Sequence, residues 1–144
     1  MKAFIFAGFA LGCITASAAN WVSVATAEGL AATDPKLILD ADISSVRLRE
    51  GFRQAWIRYS NFPSRKSVYG DGSVGSTVYF QLFDCENVES TTMQYAEYDQ
   101  IFANGNIGYS SNVRRADAIK KMQAPIPGTM AESALKFVCA RPLK

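Results

Sequence analysis

The chain has 144 residues, 49% of them apolar, and a formal net charge of +2. A charge so close to neutral gives no electrostatic footprint for nucleic acid. There is no histidine, which excludes serine–histidine and cysteine–histidine nucleophile pairs and every imidazole-based metal site.

Met1-Lys2 supplies a positive start, Ala3 to Ile14 an apolar run, and Ala16-Ser17-Ala18-Ala19 a cluster of small residues. That order reads as a secretory signal peptide over residues 1–19, and the run is shorter than the roughly 20 residues a membrane-spanning helix needs. Cleavage is expected after Ala18 or Ala19. Leu11-Gly12-Cys13 resembles a lipoprotein processing site, but Ala10 stands where a larger aliphatic residue belongs, so Cys13 is read as part of the export helix. No later stretch is apolar for long enough to span a bilayer. The expectation is an exported protein of the periplasm or cell surface, with residues 20–144 forming one domain.

Trp21 to Ala25 has apolar and β-branched residues at strand density. Ala32-Thr33-Asp34-Pro35 is a turn signal, and Leu37-Ile38-Leu39 a second apolar run leading into Asp40-Ala41-Asp42-Ile43. From Phe52 to Tyr59 two sets alternate, Phe52, Gln54, Trp56, Arg58 and Arg53, Ala55, Ile57, Tyr59, which predicts a strand. Asn61 to Ser76, with Pro63 and three glycines, reads as a long irregular connection. Thr77 to Cys85 is the clearest strand. Val78, Phe80 and Leu82 take one face and Tyr79, Phe83 and Cys85 the other, so it belongs in the middle of a sheet.

Thr91 to Phe102 continues with Met93, Tyr95, Tyr98 and Ile101. Asn104-Gly105 signals a type I′ hairpin, with Ile107 to Val113 as the return strand. Arg114 to Lys121 predicts a short helical turn, and Pro125-Ile126-Pro127 breaks any regular element. Thr129-Met130-Ala131-Glu132 then fits a capping box. Ala131, Ala134, Leu135, Val138 and Cys139 share one face of the helix it opens, and Pro142 ends the pattern.

Once the signal peptide is removed, Cys85 and Cys139 remain in an oxidising compartment, and two cysteines allow one pairing. The spacing is far from Cys-x-x-Cys, so a structural bridge is expected, worth about 4 kcal/mol in the chain-entropy model. It would staple the last helix to the sheet. Strands followed by one helix predict an α+β fold.

Three patterns bear on chemistry. Asp84, Glu86, Glu89, Glu97 and Asp99 form an acidic stretch that could hold a carboxylate pair or Ca²⁺, but the spacing matches no EF-hand loop and solvated strand ends explain it more simply. Gly70-Asp71-Gly72-Ser73-Val74-Gly75 has the letters of a dinucleotide-binding loop without the preceding strand and following helix that motif requires. Arginines and lysines gather at Arg47, Arg49, Arg53, Arg58, Arg65 and Lys66, and again at Arg114, Arg115, Lys120 and Lys121. A solvated face is the bland reading. Tyr59, Phe62 and Tyr69 beside Arg58, Arg65 and Lys66 point instead to a partner surface, because aromatic and arginine side chains anchor interfaces.

The order of landmarks is similar to that of the surface-adhesin protein E family of Gram-negative envelope proteins. Trp21 is followed by Asp40-Ala41-Asp42-Ile43, Ala55-Trp56-Ile57-Arg58 and Asp84-Cys85. Then come Gly105 in a hairpin, Pro127-Gly128-Thr129 opening a helix, and Phe137-Val138-Cys139 closing it. The resemblance covers nearly all of residues 20–144. It implies a six-stranded antiparallel sheet with the C-terminal helix tied by Cys85–Cys139, no catalysis, and binding of host extracellular proteins.

The sequence therefore reads as an exported, non-enzymatic, adhesin-like binding module for host or envelope proteins. No cofactor or metal is expected. A protein partner is, such as an extracellular-matrix or serum protein, contacted through Arg58, Arg65, Lys66 and Tyr69. The alternative is a periplasmic enzyme inhibitor or stress-related envelope protein. An enzyme would need a carboxylate site near Asp84 or Asp99.

Overall fold

The computed structural model describes residues 19–28 and 36–143, so residues 1–18 of the expected signal peptide and the turn expected at Ala32–Pro35 lie outside the described residues. Seven strands precede two helices: β1 (Trp21–Glu28), β2 (Lys36–Asp42), β3 (Arg47–Arg49), β4 (Phe52–Lys66), β5 (Ser73–Asp84), β6 (Glu89–Tyr98), β7 (Ile107–Asn112), α1 (Arg115–Ile119) and α2 (Met130–Ala140). They form one antiparallel sheet of order β1-β2-β4-β5-β6-β7, with three-residue β3 alongside the start of β4. The six-strand path is the expected one, and β5 is central to it.

Residues directly opposite one another share a face of a sheet. On the first face one row runs Leu39–Tyr59–Thr77–Glu97–Tyr109 and the next Ala41–Ile57–Tyr79–Tyr95–Ser111. Helix α2 lies over the β1, β2, β4 and β5 part of this face. Leu39, Ala41, Ala55, Ile57 and Phe83 pack there against Ala134, Leu135 and Val138. Ala55, Ile57 and Phe83 are among the alternate residues of β4 and β5 that the sequence assigned to one face, which is why a period-2 pattern meets a period-3.6 pattern in a single core.

Helix α2 is held at both ends. Thr129 accepts a hydrogen bond from the Glu132 N–H at 3.4 Å, while Glu132 accepts from the Gly128 N–H at 2.8 Å. The capping box therefore closes one residue earlier than expected. Ala131 is exposed rather than on the buried face. At the other end the Arg53 guanidinium donates to the carbonyls of Val138 and Arg141, satisfying acceptors that a helix C-terminus leaves unpaired. The Cys85–Cys139 disulfide joins the end of β5 to the last turn, with Cα atoms 5.6 Å apart.

Two expectations need correction. Asn61 to Ser76 is not an irregular connection: β4 runs to Lys66 and β5 begins at Ser73, leaving residues 67–72 as the loop. The β4–β5 register shifts between Ser60 and Arg65, while Asn61 and Phe62 pair with Leu37 and Lys36 of β2. Pro63 falls within that shift, where its missing N–H costs no ladder bond.

Asn104-Gly105 does not form a type I′ turn either. Asn104 is extended at φ −95°, and the left-handed residues are Phe102, Ala103 and Gly105. Ile101 and Phe102 belong to a 3₁₀ turn instead of β6. This β6–β7 connection lies against β4 and β5: Ser60 and Ser76 hydroxyls accept from the Phe102 and Ala103 N–H groups. A Cβ added at Gly75 would lie 2.4 Å from the Gln100 carbonyl carbon, so only glycine admits the approach. The return strand β7 forms as expected.

Candidate partner-binding site

The sheet alternates its side chains, and this separates the residues that the sequence had grouped. Arg58 faces away from α2. Its side chain pairs with Asp40, Nη2 to Oδ2 at 2.8 Å, and Nη1 donates to the Phe102 carbonyl at 3.0 Å. The guanidinium lies 4.3 Å from the Trp21 ring centroid and 5.1 Å from that of Phe102. Only 8% of Arg58 is exposed, so its charge is enclosed within the fold.

Arg65, Lys66 and Tyr69 are brought together at the tip of the β4–β5 hairpin. Arg65 and Lys66 pair with Val74 and Ser73, and the Ser67 N–H donates to the Gly72 carbonyl at 2.8 Å. The tip is tied down by Glu97 of β6, a carboxylate only 2% exposed. One of its oxygens takes the Arg65 Nη2 at 2.8 Å and the other the Ser67 hydroxyl at 2.6 Å. Ser67 Oγ also accepts from the Tyr69 N–H at 3.1 Å. A recess of about 150 Å³ between the loop and the sheet includes Glu97 and Gly108 in its lining. Glu97 appeared in the sequence as one member of an acidic stretch. The fold makes it the post to which the tip is fastened.

Aromatic stacking orients what remains outside. The Tyr69 ring stacks on Tyr109 at 4.3 Å and 11°, and lies 5.7 Å from Tyr95. Tyr69 is still 57% exposed and Val68 75% exposed, with Lys66 exposed beside them. Val68 went unnoticed in the sequence, although an aliphatic–aromatic pair inside a polar, glycine-rich loop is the signal that marks it. Tyr109 could not be found that way, because its role depends on β7 lying next to the hairpin.

The other chemical patterns resolve into structure. Asp84 accepts from the backbone N–H groups of Glu86 and Asn87 and from the Asn87 side chain. Those bonds, led by the Asn87 side chain, hold its carboxyl below the usual range. Asp99 likewise closes the β6–β7 loop through Asn106. Among the described residues no group of three or more acidic or cysteine side chains is placed to hold a metal ion. The glycine-rich stretch runs into strand β5, without the helix a phosphate loop requires.

Fold and tip together define a small disulfide-stapled α+β domain that presents an ordered aromatic hairpin beside a half-covered sheet. The family model of surface-adhesin protein E matches residues 21–140, and the chain belongs to that family. Membership makes it an adhesin-like, exported surface protein and implies a non-enzymatic role. The crystal structure of protein E from non-typeable Haemophilus influenzae is similar over 84% of each chain, at 14% identity and a TM-score of 0.44. No curated protein matches the chain. No helix among the described residues is long and apolar enough to cross a membrane.

Proposed function

We propose that this protein is an adhesin-like module that binds an extracellular-matrix or serum protein of the host through the β4–β5 hairpin tip. Lys66, Val68 and Tyr69 make the contact, and Arg65 holds them in place. The supporting observation is that an exposed tyrosine and valine sit on a loop already fastened by Glu97 and by the Tyr69–Tyr109 stack. Apolar side chains ordered before binding lose little entropy when they dock, which is what makes an anchor effective. Lys66 adds a rim charge, whose effect is on association rate and salt dependence.

The test is a screen of the chain lacking residues 1–19 against immobilised matrix and serum proteins at low and high salt. Saturable binding is expected. Tyr69→Ala should weaken it by about 2 kcal/mol, roughly thirtyfold. Lys66→Glu should slow association and flatten the salt dependence. Binding that survives both substitutions unchanged rules the tip out.

A further inference from the structure

Among the described residues the six-strand path of the sheet ends at β1 and β7. Strand β7 reads Ile107-Gly108-Tyr109-Ser110-Ser111-Asn112, with neither a charged residue nor a proline. Those are the usual means by which an outer strand is kept from pairing with another chain. Its one irregularity falls at Gly108, near its start, and Tyr109 to Asn112 pair with β6 in unbroken register. At the other edge, the β1–β2 ladder is interrupted at Val24, within the strand itself.

A second feature meets this edge. On the face turned away from α2, an open groove of about 410 Å³ reaches from Trp56 and Val78 across β6 to Ser110 and Asn112. Its origin is the directly opposed pair Ala96 and Ser110, whose short side chains leave a depression beside Trp56 and Tyr98. A strand added outside β7 would turn every second side chain to this face, and the one opposite Ser110 would enter the depression.

We propose that β7 is a strand-addition site for an extended, uncharged peptide segment of a partner protein, whose main chain lengthens the sheet and whose alternate apolar side chains fill the groove. A second copy of this chain fits poorly. The regular edge spans four residues, about 14 Å of strand. Pairing two such edges covers far less than the roughly 1,200 Å² of a stable interface. A partner copy would also offer the groove only Ser110 and Asn112, which are too short and polar to fill it. The groove lies on the face opposite the Tyr69–Tyr109 stack, and the proposal does not depend on the tip making a contact.

The experiment uses the chain lacking residues 1–19 and a blocked nine-residue peptide of alternating threonine and leucine. Two further versions carry backbone N-methyl groups on one edge of the strand or on the other. Only one edge of the peptide faces β7, so one methylated version should bind like the parent. The other should bind at least about tenfold more weakly, through loss of main-chain hydrogen bonds. Amide exchange should slow at residues 109–112 on binding, and Trp56 emission should shift. Ser110→Lys should weaken binding to a similar degree. The methylated pair tests the idea on unaltered protein in case that variant folds poorly. Equal binding of both methylated peptides, no saturable binding, or a β7-linked dimer that excludes the peptide would each overturn the proposal.

Discussion

Arg58 and Arg65 show how little a residue type says about its fate. Both are arginines on the same strand, and both contact a carboxylate at 2.8 Å. The Arg58 side chain is 10% exposed and encloses its charge between Asp40, Trp21 and Phe102, whereas that of Arg65 is 38% exposed and reaches down to Glu97 from the tip. A buried pair is weak evidence of net stabilisation, but removing one partner strands the other charge in a poorly solvated site. Arg58→Ala should therefore destabilise the domain by about 3–5 kcal/mol. A urea midpoint scarcely moved from wild type would contradict that. Replacing Asp40 and Arg58 together by leucine and methionine should recover much of the loss. Lys66, one residue beyond Arg65, points the other way and stays in solvent, as strand alternation requires.

At the scale of elements, the sheet and α2 depend on one another. The apolar face of the helix supplies Ala134, Leu135 and Val138 to the core, and Thr129, Arg53 and the disulfide secure its ends. A bridge between residues 54 apart in sequence restricts the unfolded chain considerably. Cys85→Ser should then cost about 4 kcal/mol, and limited proteolysis followed by mass spectrometry should show new cleavage near Cys139. Resistance equal to wild type would mean that packing and capping hold α2 unaided. The hairpin β4–β5 illustrates the opposite case, an element whose local composition misleads. Proline and three glycines argue for a loop, yet the ladder absorbs Pro63 at a register shift and places its turn within residues 67–72.

Across the whole molecule, five tyrosines form a continuous row from the core to the tip: Tyr59 against Tyr79, Tyr79 against Tyr95, and Tyr95 against both Tyr109 and Tyr69. Burial favours the neutral forms of Tyr59, Tyr79 and Tyr95. Burial first, then the neighbouring Tyr79, pushes Tyr59 from 10.0 up to about 12, and burial also raises Tyr79 and Tyr95. The unfolded chain would ionise near pH 10. The stability these groups provide is thus complete below about pH 10 and is lost as pH rises toward 12 and beyond. A pH titration of tyrosinate absorbance should show these rings ionising together with loss of near-UV circular dichroism. Ionisation of Tyr59, Tyr79 and Tyr95 near pH 10 in a folded protein, read ring by ring by NMR, would refute the burial argument.

Much of this architecture was legible in the residues alone. Alternation in Phe52–Tyr59 and Thr77–Cys85, helical spacing in Ala134–Cys139 and the two cysteines beyond residue 19 determine strands, helix and staple, because local periodicity and covalent pairing need no knowledge of neighbours. The resemblance to the adhesin family likewise lay in the order of short motifs. Tertiary structure alone decided which charges are enclosed, that Glu97 fastens the tip, that Tyr69 rests on Tyr109, and that β7 closes the sheet with an open groove beside it. Each of those depends on register between strands distant in sequence, where a shift of one residue turns every side chain to the opposite face.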